Sequence, residues 1–248
     1  MTRNLSIMCV IAAMCLSSVS FAQETRPATS VPASDEQNFH FGFKFAPTLA
    51  WMKADSKGLE RDGSKIGFSY GITTEFKIQE NYAFATGMQV TYRGGRVNFR
   101  YGNDATYPEV SYRLNLQYVE IPLTLKMKTN EFNKVRYFGQ FGFAPGYCIR
   151  AKGETEIVNQ GSRQFIQDTE YEDDYKDYVN SFNLSMIIAA GAEYRLAGST
   201  VVFSSLEFNN GFIDVFGKVK QPFVSPTPQE VKWTGFSNYF ALNVGILF

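Results

Sequence analysis

Residues 238–248 read NYFALNVGILF, with large apolar side chains strictly alternating with smaller or more polar ones. In an extended strand Phe240, Leu242, Val244, Ile246 and Phe248 share one face, and Tyr239, Ala241, Asn243, Gly245 and Leu247 the other. The same period of two recurs along the chain from Phe39, and no feature constrains the fold more. The first segment sets Phe39, Phe41, Phe43, Phe45, Leu49 and Trp51 against His40, Gly42, Lys44, Ala46 and Thr48. The second sets Ile66, Phe68, Tyr70, Ile72, Phe76 and Ile78 against a face with Glu75 and Lys77, and the third Tyr82, Phe84, Met88, Val90 and Tyr92 against one ending in Arg93. A fifth (Val135 to Arg150), a sixth (Tyr178 to Arg195) and a less regular seventh (Val202 to Phe212) place Arg136, Arg150, Glu193, Arg195 and Glu207 on their polar faces. With the terminal segment and an irregular fourth, the count is eight strands.

A β-sandwich or a soluble lipocalin-type barrel also alternates, so the facing of the pattern has to be decided. The polar face is rich in Gly, Ala, Ser, Thr and Asn, which suits a narrow barrel filled by its own side chains. The apolar face carries essentially no charge, although 19% of the chain is charged. That bias is expected where a charge costs about 2 to 4 kcal/mol at the middle of a bilayer. Tyr82 and Tyr92, and again Tyr137 and Tyr147, bracket that face ten residues apart. Ten tilted residues cross about 25 Å of hydrocarbon and leave both phenols at a headgroup boundary. Connections alternate too: 79–81, 129–134 and 197–199 are short, whereas 53–65, 102–111, 152–177 and 215–235 are long. Outer-membrane barrels have short periplasmic turns and long outer loops. The expected fold is all-β: an eight-stranded antiparallel up-and-down transmembrane β-barrel over 39–248, with both ends on the periplasmic side.

The fourth segment, residues 112–128 (YRLNLQYVEIPLTLKMK), changes phase. Leu114, Leu116 and Tyr118 occupy one parity, and Val119, Ile121, Leu123, Leu125 and Met127 the other. A β-bulge near Tyr118 and Val119 accounts for such a slip and leaves Arg113, Asn115, Gln117, Glu120, Thr124 and Lys126 facing inward. Pro122, and Pro145 in the next strand, predict local distortion of the ladder.

The run LQYVEIPLTLK at 116–126, with the opening FHFGFK at 39–44 and the aromatic terminal strand, resembles the PorT-like outer-membrane β-barrel family. The resemblance covers the chain from about Phe39. It implies an eight-stranded barrel and, by the family's namesake, support of a protein secretion system. It also implies that Phe240, Leu242, Val244, Ile246 and Phe248 form the terminal signal read by the barrel assembly machinery.

The N-terminal end fits export. Arg3, the apolar run from Ile7 to Leu16 and the small residues of Ser20-Phe21-Ala22 predict a signal peptide over 1–22, cut before Gln23. The apolar run is too short for a membrane-crossing helix, and Met14 before Cys15 does not suit lipoprotein processing. Residues 23–38, rich in Pro, Ser, Thr and charge, read as a flexible periplasmic linker. Of three cysteines only Cys148 lies beyond the leader, which excludes an internal disulfide and leaves no Cys-based metal site. A formal net charge of zero argues against nucleic-acid binding, which wants a basic excess.

Chemistry has few places to reside. The inward charges Lys44, Lys77, Arg93, Lys126, Arg136 and Arg195, against Glu75, Glu120, Glu193 and Glu207, predict an interior polar network plugging the lumen, because a buried charge must be paired. The alternative is a small-ligand site or an ion path along those groups. His40 is the single histidine, and no serine and carboxylate accompany it in a triad pattern, so no catalytic residue, cofactor or metal is expected. The acidic run Asp168 to Asp177, interleaved with tyrosines, does not match a calcium loop and reads as a surface loop suited to divalent ions or a protein contact. The expected protein is a monomeric, non-catalytic envelope barrel. Its expected partners are outer-membrane lipid and lipopolysaccharide, the assembly machinery, and envelope or secretion proteins met through its outer loops. The alternative is a ligand-binding or lipid-modifying barrel using the lumen or the rim near His40.

Overall fold

Alternating segments that bury small residues and expose large ones can satisfy their backbone only by pairing into a closed sheet, and that is how the chain is arranged. The computed structural model describes residues 38–54, 59–61, 63–100, 109–159, 164–169, 179–216 and 234–248. The segments read as leader and linker lie outside these, Asn38 excepted. The strands are β1 (Phe39–Ala54), β2 (Leu59–Arg61), β3 (Ser64–Gln79), β4 (Tyr82–Arg100), β5 (Glu109–Glu120), β6 (Leu123–Lys128), β7 (Val135–Asn159), β8 (Gln164–Thr169), β9 (Phe182–Ala197), β10 (Thr200–Gly211) and β11 (Gly235–Leu247).

All the pairings are antiparallel, β1 with β3, β3 with β4 and so on round the wall, and β11 returns to β1 in the register Gly42 with Leu247, so the ring closes. β5 and β6 form one stave, interrupted at Ile121 and Pro122; both lie between β4 and β7. Pro122 has no N–H to give, and the N–H of Ile121 donates instead to the carbonyl of Pro145 across the break at 2.9 Å. Counting β5 with β6, eight staves make the wall, and β2 and β8 extend β4 and β7 beyond it.

The facing is the one the alternation predicts. On β1, Phe43 and Phe45 are more than half exposed, while Ala46 and Thr48 just beyond them are 1% and 3% exposed. On β11, Phe240, Leu242 and Val244 face out, as does Phe248 just past its end, and Tyr239, Ala241, Asn243 and Leu247 are buried inside. The short connections are tight. Asn133 and Lys134 take positive φ to close the turn before β7, and Gly198, at φ 58°, closes the turn between β9 and β10. These turns mark the periplasmic end, and the longer connections mark the outer one.

Two expectations fail. Along β5 and β6 the parity never slips: Leu114, Leu116, Tyr118, Glu120, Thr124 and Lys126 are all buried in the lumen, and Arg113, Asn115 and Gln117 lie on the outward parity. The bulge lies in the partner strand instead. Gln117 pairs with Arg150 and Tyr118 with Cys148, which leaves Ile149 as the extra residue, with both Ile149 and Arg150 exposed. Arg150 therefore faces out, not in. The third long connection is also not a plain loop, because β7 runs on to Asn159 and β8 folds back on it; of the acidic run only Asp168 and Thr169 are described.

Candidate functional site

The lumen is built in three storeys. At the periplasmic third, β6 supplies Lys126 and Lys128, two residues apart and so on the same face. Glu75 comes from β3 and Glu193 from β9, each two staves away round the ring in opposite directions. Lys126 pairs with both carboxylates, and Lys128 Nζ lies 2.6 Å from Glu75 Oε2 and 2.9 Å from Glu193 Oε1. Two cations between two anions leave no net charge in a place where water is scarce, the condition under which buried ions are tolerated. The Lys126 ammonium also sits over the ring of Phe138 at 3.9 Å and near that of Phe203 at 5.3 Å, so an aromatic floor made with Leu247 holds its remaining side. Nearer the mouth, Arg195 Nη2 lies 2.7 Å and Arg136 Nε 3.5 Å from Glu131, which belongs to the turn before β7.

The middle storey centres on Glu120, the last residue of β5. One carboxylate oxygen accepts hydrogen bonds from Gln89 Nε2 (2.8 Å), Thr91 Oγ1 (2.7 Å) and the Tyr239 hydroxyl (3.2 Å). The other lies 3.2 Å from Arg93 Nη1, and both side chains are wholly buried. The guanidinium lies over the Tyr118 ring at 3.9 Å and 5.8 Å from the centroid of the Tyr239 ring, so Arg93 is held by one carboxylate and two aromatic rings. Between adjacent strands, Asn243 Nδ2 of β11 donates to Glu207 of β10 at 2.9 Å, and Gln140 Nε2 of β7 donates to Thr124 Oγ1 of β6 at 2.6 Å. The outer third is apolar: Met52, Leu114, Leu116, Tyr118, Cys148, Ala151, Val179, Val215 and Phe216 form one buried cluster. The Cys148 thiol is inside it, 3.3 Å from the carbonyl of Arg150.

The ten charged residues singled out in the sequence thus fall into separate groups. Glu75, Lys126 and Glu193 meet in the lower storey and Arg93 and Glu120 in the middle one, whereas Glu207 is held by Asn243. Lys77, Arg136 and Arg195 line a periplasmic cavity of about 60 Å³ beside His40, and Lys44, half-buried, makes no ion pair among the described residues. Sequence reasoning missed Lys128, Glu131, Phe138 and Phe203. The first could have been found, since it repeats the parity of Lys126. Among the described residues no His, Cys, Asp and Glu group has the geometry to hold a metal ion. The ion pairs and apolar packing can fix side chains and exclude water; the lower cavity has room for a few water molecules.

Residues 21–217 match the family model described as an outer membrane protein beta-barrel domain. No curated protein sequence matches the chain. Among solved structures it is similar to Neisserial surface protein A at 12% identity and a TM-score of 0.44, covering 85% of this chain and 96% of that one. It is similar to OprG of Pseudomonas aeruginosa at 10% identity and 0.43, covering 85% and 95%, and to the Escherichia coli outer membrane protease OmpT at 10% and 0.38, covering 87% and 99%. Likenesses this distant say nothing of activity, and the assignment rests on the sequence match. With its lipid-facing wall and its matched stretch taking in most of the barrel, the chain belongs to the outer membrane protein β-barrel domain family and resides in the outer membrane.

Proposed function

We propose that this barrel is non-catalytic and works through its surfaces, as a structural element or docking partner in the envelope, accessory to protein secretion in the way its PorT-like sequence features imply. The observation that carries the reading is the filling of the lumen: an ionic and aromatic storey, a hydrogen-bonded storey and an apolar cap follow one another with their side chains almost wholly buried. A tube so packed has nowhere to bind a substrate at its centre. The rim near His40 supports the ligand-binding alternative poorly, because its cavity of about 60 Å³ is too small for a sugar or an acyl chain.

A strain lacking the protein tests the proposal when complemented with the wild type, with His40→Ala, or with residues 170–178 replaced by a short Gly-Ser segment. Wild type and His40→Ala should both restore export of secreted proteins, and the loop replacement should not. Restoration by the loop replacement, or failure of His40→Ala at normal barrel levels, sinks the reading.

A further inference from the structure

Glu75, Glu120 and Glu193, each almost wholly buried, all face cations: Lys126 and Lys128 stand against Glu75 and Glu193, and Arg93 against Glu120. Glu207 does not. It is 4% exposed, yet among the described residues no ion pair reaches it, and its hydrogen bond comes from the neutral amide of Asn243 at 2.9 Å. A carboxylate kept from water with one neutral donor is penalised heavily by burial unless a positive charge completes it.

The surroundings offer oxygen where a cation is wanting. Ser205, Glu207 and Asn209 occupy alternate positions of β10 and share its inner face. Asn209 is wholly buried, and neither its amide nitrogen nor its amide oxygen has a hydrogen-bond partner among the described residues. Its neighbours across the two ladders give it none: Ile187 of β9 has no polar atom in its side chain, and the Tyr239 hydroxyl of β11 is turned to Glu120 at 3.2 Å. Two residues apart on one face of a strand, the Glu207 and Asn209 side chains leave the backbone about 7 Å from each other, a span that their oxygens can close onto one shared ion. Glu207 itself stands opposite Ala189 of β9 and Ala241 of β11, so neither neighbouring strand sets a large side chain beside the carboxylate.

We propose that Glu207 and Asn209 bind a monovalent alkali cation, sodium or potassium, inside the lumen, the carboxylate supplying the charge, the amide carbonyl a second ligand and water the remainder. The donor set decides the class. Oxygen ligands suit a hard cation, and a single carboxylate balances one positive charge while leaving a divalent ion half compensated. The groupings of His, Cys, Asp and Glu that a transition metal or calcium wants are absent among the described residues, and an alkali cation needs none of them. Lys44, half-buried and also without an ion pair among the described residues, is the rival counter-charge. The site is independent of any role in secretion.

Urea unfolding of the full chain in detergent micelles is followed at constant ionic strength while N-methylglucamine chloride is exchanged for sodium or potassium chloride. The bulky organic cation reports screening alone. Above the dissociation constant the ratio of folded to unfolded protein should rise about tenfold for each tenfold rise in alkali cation, the slope of one bound ion. E207Q should lose that slope. N209A should keep it, with the rise beginning at about tenfold higher salt, as expected for one neutral ligand removed. E80Q, which removes an exposed carboxylate at the periplasmic rim, should respond as wild type. Heat-dependent gel mobility shows which variants are folded, and N209A carries the test if E207Q is not. A wild type indifferent to the alkali cation, an undiminished slope in folded E207Q, or an unshifted onset in N209A overturns the proposal. A response confined to K44M overturns it in favour of Lys44 as the counter-charge.

Discussion

Arg93 has one counter-charge, Glu120, and the pair is fully buried, so the two are a unit whose halves cannot be removed singly. Glu120→Ala leaves a guanidinium with no carboxylate in a dry storey and should destabilise the barrel by about 3 to 5 kcal/mol. The double variant Arg93→Met with Glu120→Met should recover most of that loss, because apolar replacements of similar volume often match a buried pair. Urea unfolding of the reconstituted barrel, followed by tryptophan emission, measures both, and equal losses in single and double variants would contradict the pairing. Lys126 obeys the same rule with two partners. Lys126→Met should cost more than Lys44→Met, whose ammonium makes no ion pair among the described residues, and the difference should exceed about 2 kcal/mol in the same assay. What the sequence could show at this scale was the inward parity of the ten lumen and rim charges, although it misplaced Arg113 and Arg150. It could not show which charge meets which, because Glu75 and Glu193 reach Lys126 across the lumen from strands whose relative stagger no local pattern encodes.

Seven staves were legible in the alternation, and the stave formed by β5 and β6 was not. Apolar residues were read as outward everywhere, a rule that holds only within the hydrocarbon layer. Near the outer end it inverts: Leu114, Leu116 and Tyr118 fill the lumen while Arg113, Asn115 and Gln117 lie on the outward parity. Reading that inversion as a slip in phase put a bulge where there is none. The true bulge, at Ile149, stayed hidden because Ile149 followed by Arg150 looks like ordinary alternation. Single cysteines carrying an environment-sensitive dye separate the two descriptions. A label at Leu123 should be quenched by a lipid-borne quencher, a label at Gln117 should be quenched only by headgroup-borne quencher, and Leu116 should resist labelling until the barrel is unfolded. Ready labelling at Leu116 in the folded protein would restore the slipped register.

For the molecule as a whole, the packing of the lumen sets permeability. Reconstituted in a planar bilayer, the barrel should show no stepwise conductance; replacing Met52, Leu114 and Leu116 together with serine should open the apolar cap without opening the ionic storey, so conductance should remain absent. Steady channel activity in the wild type would refute the filled interior. The closing edge matters as much. Phe41 and Phe248 exchange both backbone hydrogen bonds, at 3.2 and 2.8 Å. Deleting Phe248 removes that exchange, and the fraction of protein with folded, heat-modifiable mobility in membranes should fall severalfold.

The seam between β1 and β11 joins residues some two hundred positions apart, and without it both flanking strands show bare donors and acceptors. Closure therefore cannot begin on a growing chain. Until its last strand has been delivered the ring has two open edges, and such a chain is expected to remain adhesive for longer than one whose contacts are local. The topology thus sets a constraint in the order of time and not of space.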